Sequence, residues 1–107
     1  MGDGVDFAAE VEALDDCVVV RVSGELDMAS TPEFETTLLS VTPDVPVVID
    51  LDGCTFLDST GIGAIAAAVG RSPRVSIVAT SPAIVRVLEI TALDTMVTVH
   101  PTLEDAR

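Results

Sequence analysis

Three short runs of β-branched residues set the frame of this chain: Cys17–Ser23 (CVVVRVS), Val47–Leu51 (VVIDL) and Val75–Ala79 (VSIVA). Val47–Leu51 is typical of a strand buried on both faces, which is the habit of parallel sheets. Parallel neighbours need a crossover of about a dozen residues or more, usually helical. The segments between the runs supply it. Ser30-Thr31-Pro32-Glu33 reads as a helix start, with Ser30 or Thr31 as N-cap, Pro32 near the first turn and an acid after it. Phe34, Leu38, Leu39 and Val41 make the apolar side of that helix, and Pro43 and Pro46 end it. Ser81-Pro82 repeats the start signal, and Ile84, Val87, Leu88 and Thr91 line one face of the helix it opens. Between them, Ser59–Val69 is rich in Gly, Ala and Ile and reads as a helix lying close on the sheet. Gly70 is its expected C-cap, and Pro73 bars continuation.

Phe7–Ala13 (FAAEVEA) alternates weakly and reads as a first strand, joined to the second by a turn at Asp15-Asp16 in an antiparallel hairpin. Gly24 is expected to end the second strand, Asp52–Leu57 to be a loop and Met96–His100 to be the last strand. Residues 101–107 have room for one or two helical turns. The predicted order is β-β-α-β-α-β-α-β. That is an α/β fold with a mostly parallel central sheet, an N-terminal hairpin and right-handed crossovers. At 107 residues, with no repeat or linker, the chain is expected to be a single domain over 1–107. Only three Phe and no Trp or Tyr are present, so Val, Ile, Leu and Ala must build the core.

Charge narrows the functional classes. Eighteen acids face five arginines, with no lysine, for a net charge of −13. Such a surface repels nucleic acids and anionic membranes, and it suits either a basic protein partner or simple solubility. Met1–Glu10 lacks the basic and apolar regions of a leader, and the longest apolar stretch, Ile62–Val69, is too short to span a bilayer. A cytoplasmic protein is expected. Cys17 and Cys54 have no CxxC spacing and no nearby His, and they read as buried thiols. On parallel strands they would lie about 20 Å apart, whereas a disulfide needs Cα atoms within about 7 Å. His100 has no orienting partner in sequence and reads as a rim residue.

The segment Asp50–Gly63 (DLDGCTFLDSTGIG) leads from a buried strand through a loop to a helix start at Asp58-Ser59-Thr60. Hydroxyls placed there serve either as caps or as a regulated site, and the residues alone leave both readings open. Asp27 and Asp58 could be taken for a catalytic carboxylate pair, but no His, Cys or Lys accompanies them. An oxygen-only metal site of Asp27, Asp58 and Ser59 would want more ligands.

Gly24-Glu-Leu-Asp27, Phe56–Gly63 (FLDSTGIG) and Ser81–Leu93 (SPAIVRVLEITAL) together resemble STAS domains, and among them the anti-sigma factor antagonists, in order and from about residue 7 to 103. The resemblance implies a STAS fold and a binding switch rather than an enzyme. In that family the unphosphorylated antagonist binds an anti-sigma factor with a histidine-kinase-like ATP-binding fold and releases a sigma factor. The partner phosphorylates the antagonist to end the contact, and a PP2C-type phosphatase restores it. ATP and Mg²⁺ belong to the partner, so no cofactor is expected here. By position the acceptor is Ser59, with Thr60 as fallback. Glu25, Asp27, Met28, Phe56, Leu57, Asp58, Ser59, Thr60, Gly61 and Ile62 form the expected partner-binding surface. Glycines 61 and 63 are expected to let the acceptor helix approach its neighbours closely. A STAS subunit of a membrane transporter is the alternative. A small enzyme lacks a nucleophile–base set, and nucleotide binding lacks a phosphate-loop fingerprint.

Overall fold

The computed structural model describes residues 7–41, 44–72 and 74–107. Residues 1–6 of the segment read against a leader, and the expected helix stops at Pro43 and Pro73, lie outside the described residues. The elements are β1 (Ala8–Ala13), β2 (Val18–Leu26), α1 (Thr31–Leu39), β3 (Val47–Leu57), α2 (Ser59–Arg71), β4 (Val75–Val78), α3 (Pro82–Ile90), a short 3-10 turn (Leu93–Thr95), β5 (Thr98–His100) and α4 (Leu103–Ala106).

The strands form one sheet in the order β1-β2-β3-β4-β5. β1 runs antiparallel to β2, and the other pairings are parallel. Because successive parallel strands are neighbours, right-handed crossovers carry α1, α2 and α3 to the same face. There Val20, Val22, Ile49, Leu51 and Ile77 of the sheet meet Phe34 and Leu38 of α1, Ala64, Ile65 and Ala68 of α2, and Ile84 and Leu88 of α3. The opposite face holds a small second cluster, Cys17, Val19, Val48 and Val78, covered by Leu14, Leu103 and Ala106. Arg107 donates from Nε and Nη2 to Asp16 Oδ1 at 3.1 and 3.0 Å, which ties α4 to the hairpin turn. Beside that cluster Arg21 pairs with Glu12 of β1 and, at 3.8 Å, with Asp50 of β3. Pairs this exposed favour strand register more than they add stability. The two cysteines are free and buried on opposite faces.

Several expected boundaries move, each for a physical reason. Gly24 does not end β2. It takes φ 85°, beside a register shift between Gly24 and Glu25, so it makes a bulge through which the strand continues to Leu26. Residues 52–57 are not a loop but the second half of β3, paired with β2 to its last residue. β4, by contrast, pairs with β3 only over Val47–Asp50. Asp52 Oδ1 reaches just past that point to accept from Thr80 N and Oγ1 at 3.1 and 2.9 Å.

α2 runs through Gly70 to Arg71 and stops where Ser72 turns extended. Leu39 is 67% exposed and lies off the apolar face of α1. Thr91 caps the exposed end of α3 by donating its hydroxyl to the Val87 carbonyl at 2.7 Å. The last strand loses Met96 and Val97, because the chain first makes the 3-10 turn entered through Ala92 at φ 61°.

Candidate partner-binding site

β2 and β3 end in step. Glu25 lies opposite Phe56 and Leu26 opposite Leu57, so two Leu-Asp pairs leave the sheet side by side. Both leucines turn into the core. Asp27 and Asp58 therefore follow at the same edge, and each opens the turn into a helix.

At α2 an aspartate does the work expected of the hydroxyls, whereas α1 has no side-chain cap and Asp27 closes the turn before it. Asp58 Oδ1 accepts from Thr60 N at 3.0 Å, Gly61 N at 3.2 Å and the Thr60 hydroxyl at 2.6 Å, so the carboxylate caps α2 and neither Ser59 nor Thr60 does. Asp27 Oδ1 accepts from Ala29 N and Ser30 N at 3.0 and 3.1 Å. Ser30 occupies the cap position of α1 without capping it. Its hydroxyl donates back to the Glu25 carbonyl at 2.7 Å and accepts from Asp27 N at 2.9 Å.

Thr31 joins the two halves. Its hydroxyl donates to the Asp27 carbonyl at 2.7 Å, and its Oγ1 lies 3.3 Å from Thr60 Oγ1. The Asp58 amide, in turn, donates to the Leu26 carbonyl at 3.2 Å. Ser59 is exposed at the first position of α2, and its hydroxyl has no hydrogen-bond partner among the described residues.

Residues 8–106 match the family described as STAS domain. This chain belongs to the STAS family. A protein of Mycobacterium tuberculosis named Anti-sigma-F factor antagonist RsfB is 31% identical over 93 residues, covering 82% of this chain and 76% of that protein. The crystal structure of an anti-sigma factor antagonist from Mycobacterium paratuberculosis superimposes with a TM-score of 0.89 at 35% identity, covering 99% of this chain and 95% of that one. The Bacillus cell fate determinant SpoIIAA in its phosphorylated form shares the fold, with a TM-score of 0.67 at 20% identity over 92% and 96% of the two chains.

Within this STAS domain the expected surface residues divide in two. Glu25, Met28, Phe56, Ser59 and Thr60 are exposed, Met28 by 75% and Phe56 by 47%, so Met28 presents itself to solvent rather than filling the core. Asp27 and Asp58 are half-buried at the base of the same edge. Leu57 and Gly61 are buried beneath this edge, and Ile62 packs against the core while remaining partly exposed. A Cβ on Gly61 would stand 2.8 Å from both Leu26 Cγ and Leu57 Cδ1, and this is the close approach that glycine permits. Gly63 faces open space and has no such role.

Sequence reasoning missed Thr31 as a bridge. Nothing in a linear motif marks a contact between residues 29 positions apart. Among the described residues no group of three potential metal ligands comes together, and no helix is long and apolar enough to cross a membrane. His100 ends β5, two strands away from β3.

The Thr60 hydroxyl, more than any other group, holds the Asp58 carboxyl below the ordinary carboxylate range. Desolvation is the next-largest effect and opposes it, and the backbone N–H groups of Gly61, Thr60 and Met28 each add a smaller lowering. A carboxyl depressed in the folded state contributes stability that is present above its unfolded value, 3.8, and is lost as pH falls through the folded one. The Asp58→Asn variant should therefore melt below wild type at neutral pH, and the gap should close below about pH 4. Thermal melts across that range check it. A gap independent of pH would deny the carboxylate its capping role.

Proposed function

We propose that this STAS domain is an anti-sigma factor antagonist whose contact with its partner is gated by phosphorylation of Ser59. One observation carries the choice of acceptor. Ser59 Oγ is exposed and uncommitted, whereas Thr60 Oγ1 is already bound to Asp58 and packed beside Thr31. The names of the relatives support the coarser reading, since both RsfB and the Mycobacterium paratuberculosis protein are called anti-sigma factor antagonists.

The unmodified domain, acting in the cytoplasm, binds an anti-sigma factor with a histidine-kinase-like ATP-binding fold, and sigma is released. The surface it offers combines Met28 and Phe56 with the anions Glu25, Asp27 and Asp58. The partner then transfers the γ-phosphoryl group of its Mg²⁺-bound ATP to Ser59 Oγ. The hydroxyl proton passes to a base on the partner, and ADP leaves. A PP2C-type phosphatase returns the serine and inorganic phosphate with one water. The domain contributes no cofactor and no catalytic group.

Phosphorylation adds about −1.5 to −2 charges at the start of α2. A helix N-terminus tolerates that charge, so the fold survives. The interface does not, because the new anion stands among three acids that already face the partner. Binding to the anti-sigma factor encoded in the same genome, measured by calorimetry, should be equal for wild type and Ser59→Ala and at least tenfold weaker for Ser59→Glu, about 1.4 kcal/mol. Radiolabelled ATP should mark wild type and not Ser59→Ala. Equal binding by all three proteins would end the proposal, and a pull-down from native lysate that retains transporter subunits in place of an anti-sigma factor would favour the transporter role.

A further inference from the structure

We propose that a phosphate on Ser59 is relayed to α1 through a two-position hydroxyl pair, Thr60 and Thr31, so that modification of one helix resets the turn that opens the other. The inference rests on Ser59 as the acceptor and names how that site is read out.

The pair is short of hydrogens. Thr31 must donate its own to the Asp27 carbonyl, 2.7 Å away, because a carbonyl only accepts. Thr60 gives its hydrogen to the Asp58 carboxylate at 2.6 Å. The 3.3 Å contact between Thr31 Oγ1 and Thr60 Oγ1 is then left without one. Thr31 Oγ1 still has an acceptor lone pair, and the residue is 7% exposed, so water has little access to it. The Thr60 hydroxyl thus has two acceptors, Asp58 and Thr31, and a rotation about one bond exchanges them.

A phosphate on Ser59 acts on that choice. It enters at the first position of α2, next in sequence to both Asp58 and Thr60. The groups that attract an anion there are the free N–H groups of the first turn. Two of them, on Thr60 and Gly61, are held by Asp58 Oδ1. Two anions compete for the same donors and repel each other, and the carboxylate yields. The Thr60 hydroxyl then turns to Thr31. The receiving oxygen belongs to the residue whose N–H and hydroxyl both bond the Asp27 carbonyl. Asp27 opens the turn that carries Met28. Drawing the 3.3 Å contact in to hydrogen-bond length pulls on that turn, which couples the exposed methionine to an event on a different helix.

The test installs phosphoserine at position 59 by genetic encoding and compares backbone amide chemical shifts with those of the unmodified protein. The relay requires Thr60 and Gly61 to move, and with them Ala29, Ser30 and Thr31. In Thr31→Val the α2 shifts should remain while the α1 shifts fall by half or more, and Thr31→Ser should restore them. If Thr31→Val melts too low to use, Thr60→Ala, altered at an exposed position, must abolish the α1 shifts in its place. Undiminished α1 shifts in these variants would mean that the charge acts through space, and an unmoved α1 in wild type would mean that the Thr60 hydroxyl follows the phosphate. Either result overturns the relay. No kinase takes part, so failure of a partner to phosphorylate Ser59 would sink the functional reading and leave this measurement standing.

Discussion

Phe34→Ala is expected to cost about 3–5 kcal/mol, the usual range for deleting a buried aromatic ring. Small domains hold only about 5–15 kcal/mol in total. Of the three phenylalanines, Phe34 is the one with no exposed surface; Phe7 is partly buried and Phe56 is 47% exposed. It is the largest side chain in a core otherwise built of Val, Ile, Leu, Ala and Cys, and it fastens α1 to the sheet. Neighbours fixed on hydrogen-bonded strands have little freedom to collapse into the space it leaves. Urea denaturation should show a lower midpoint at an unchanged slope. A loss below about 1 kcal/mol, the scale of an ordinary surface substitution, would contradict this docking of α1.

Gly61→Val is expected to be nearly as damaging and to act on the site as well. The added Cβ meets Leu26 Cγ and Leu57 Cδ1 at 2.8 Å, and both leucines are buried with no room to withdraw. Overpacking of this kind costs about 1–3 kcal/mol. The strain falls on the first turn of α2, where Thr60 meets Thr31 and where the Asp58 amide holds the Leu26 carbonyl. Lifting that turn separates the two halves of the surface, so partner affinity should drop although Gly61 itself is buried. Gly63→Ala is the matched control. Its new methyl meets open space, and replacing a glycine inside a helix is worth about 0.5–1 kcal/mol of added stability. Melting and binding measured on both variants decide the matter. A Gly61→Val protein as stable as wild type would show that the approach is looser than described.

The order of elements was readable because three signals agreed: β-branched runs, proline-led helix starts and short polar turns. The second half of β3 was not. Its buried residues, Leu51, Cys54 and Leu57, fall at every third position, so the two-residue alternation of a strand is absent there. Gly24 looked like a stop because a bulge and a strand end place the same demand on the backbone. Both motifs of the candidate site stood out in the sequence, but not their adjacency. That comes from the parallel register that sets Leu26 against Leu57. The caps were assigned to hydroxyls on general preference, whereas Asp58, one residue past its strand, caps α2, and Asp27 closes the turn before α1, which has no side-chain cap.

The unequal lengths of β3 and its neighbours divide the domain into regions of different cohesion. Up to Asp50, β3 is hydrogen-bonded on both sides; past Asp52 it runs on to Leu57 bonded to β2 alone. A ribbon of two strands is far less self-sufficient than a sheet of five. Its amides should exchange with solvent through small, local openings, while those of Val48 and Ile49 wait for the whole molecule to unfold. Ser59 sits at the tip of that ribbon. The tip can breathe without the core coming apart, so substitutions that harden or soften it can retune how readily Ser59 is reached while the melting temperature scarcely moves.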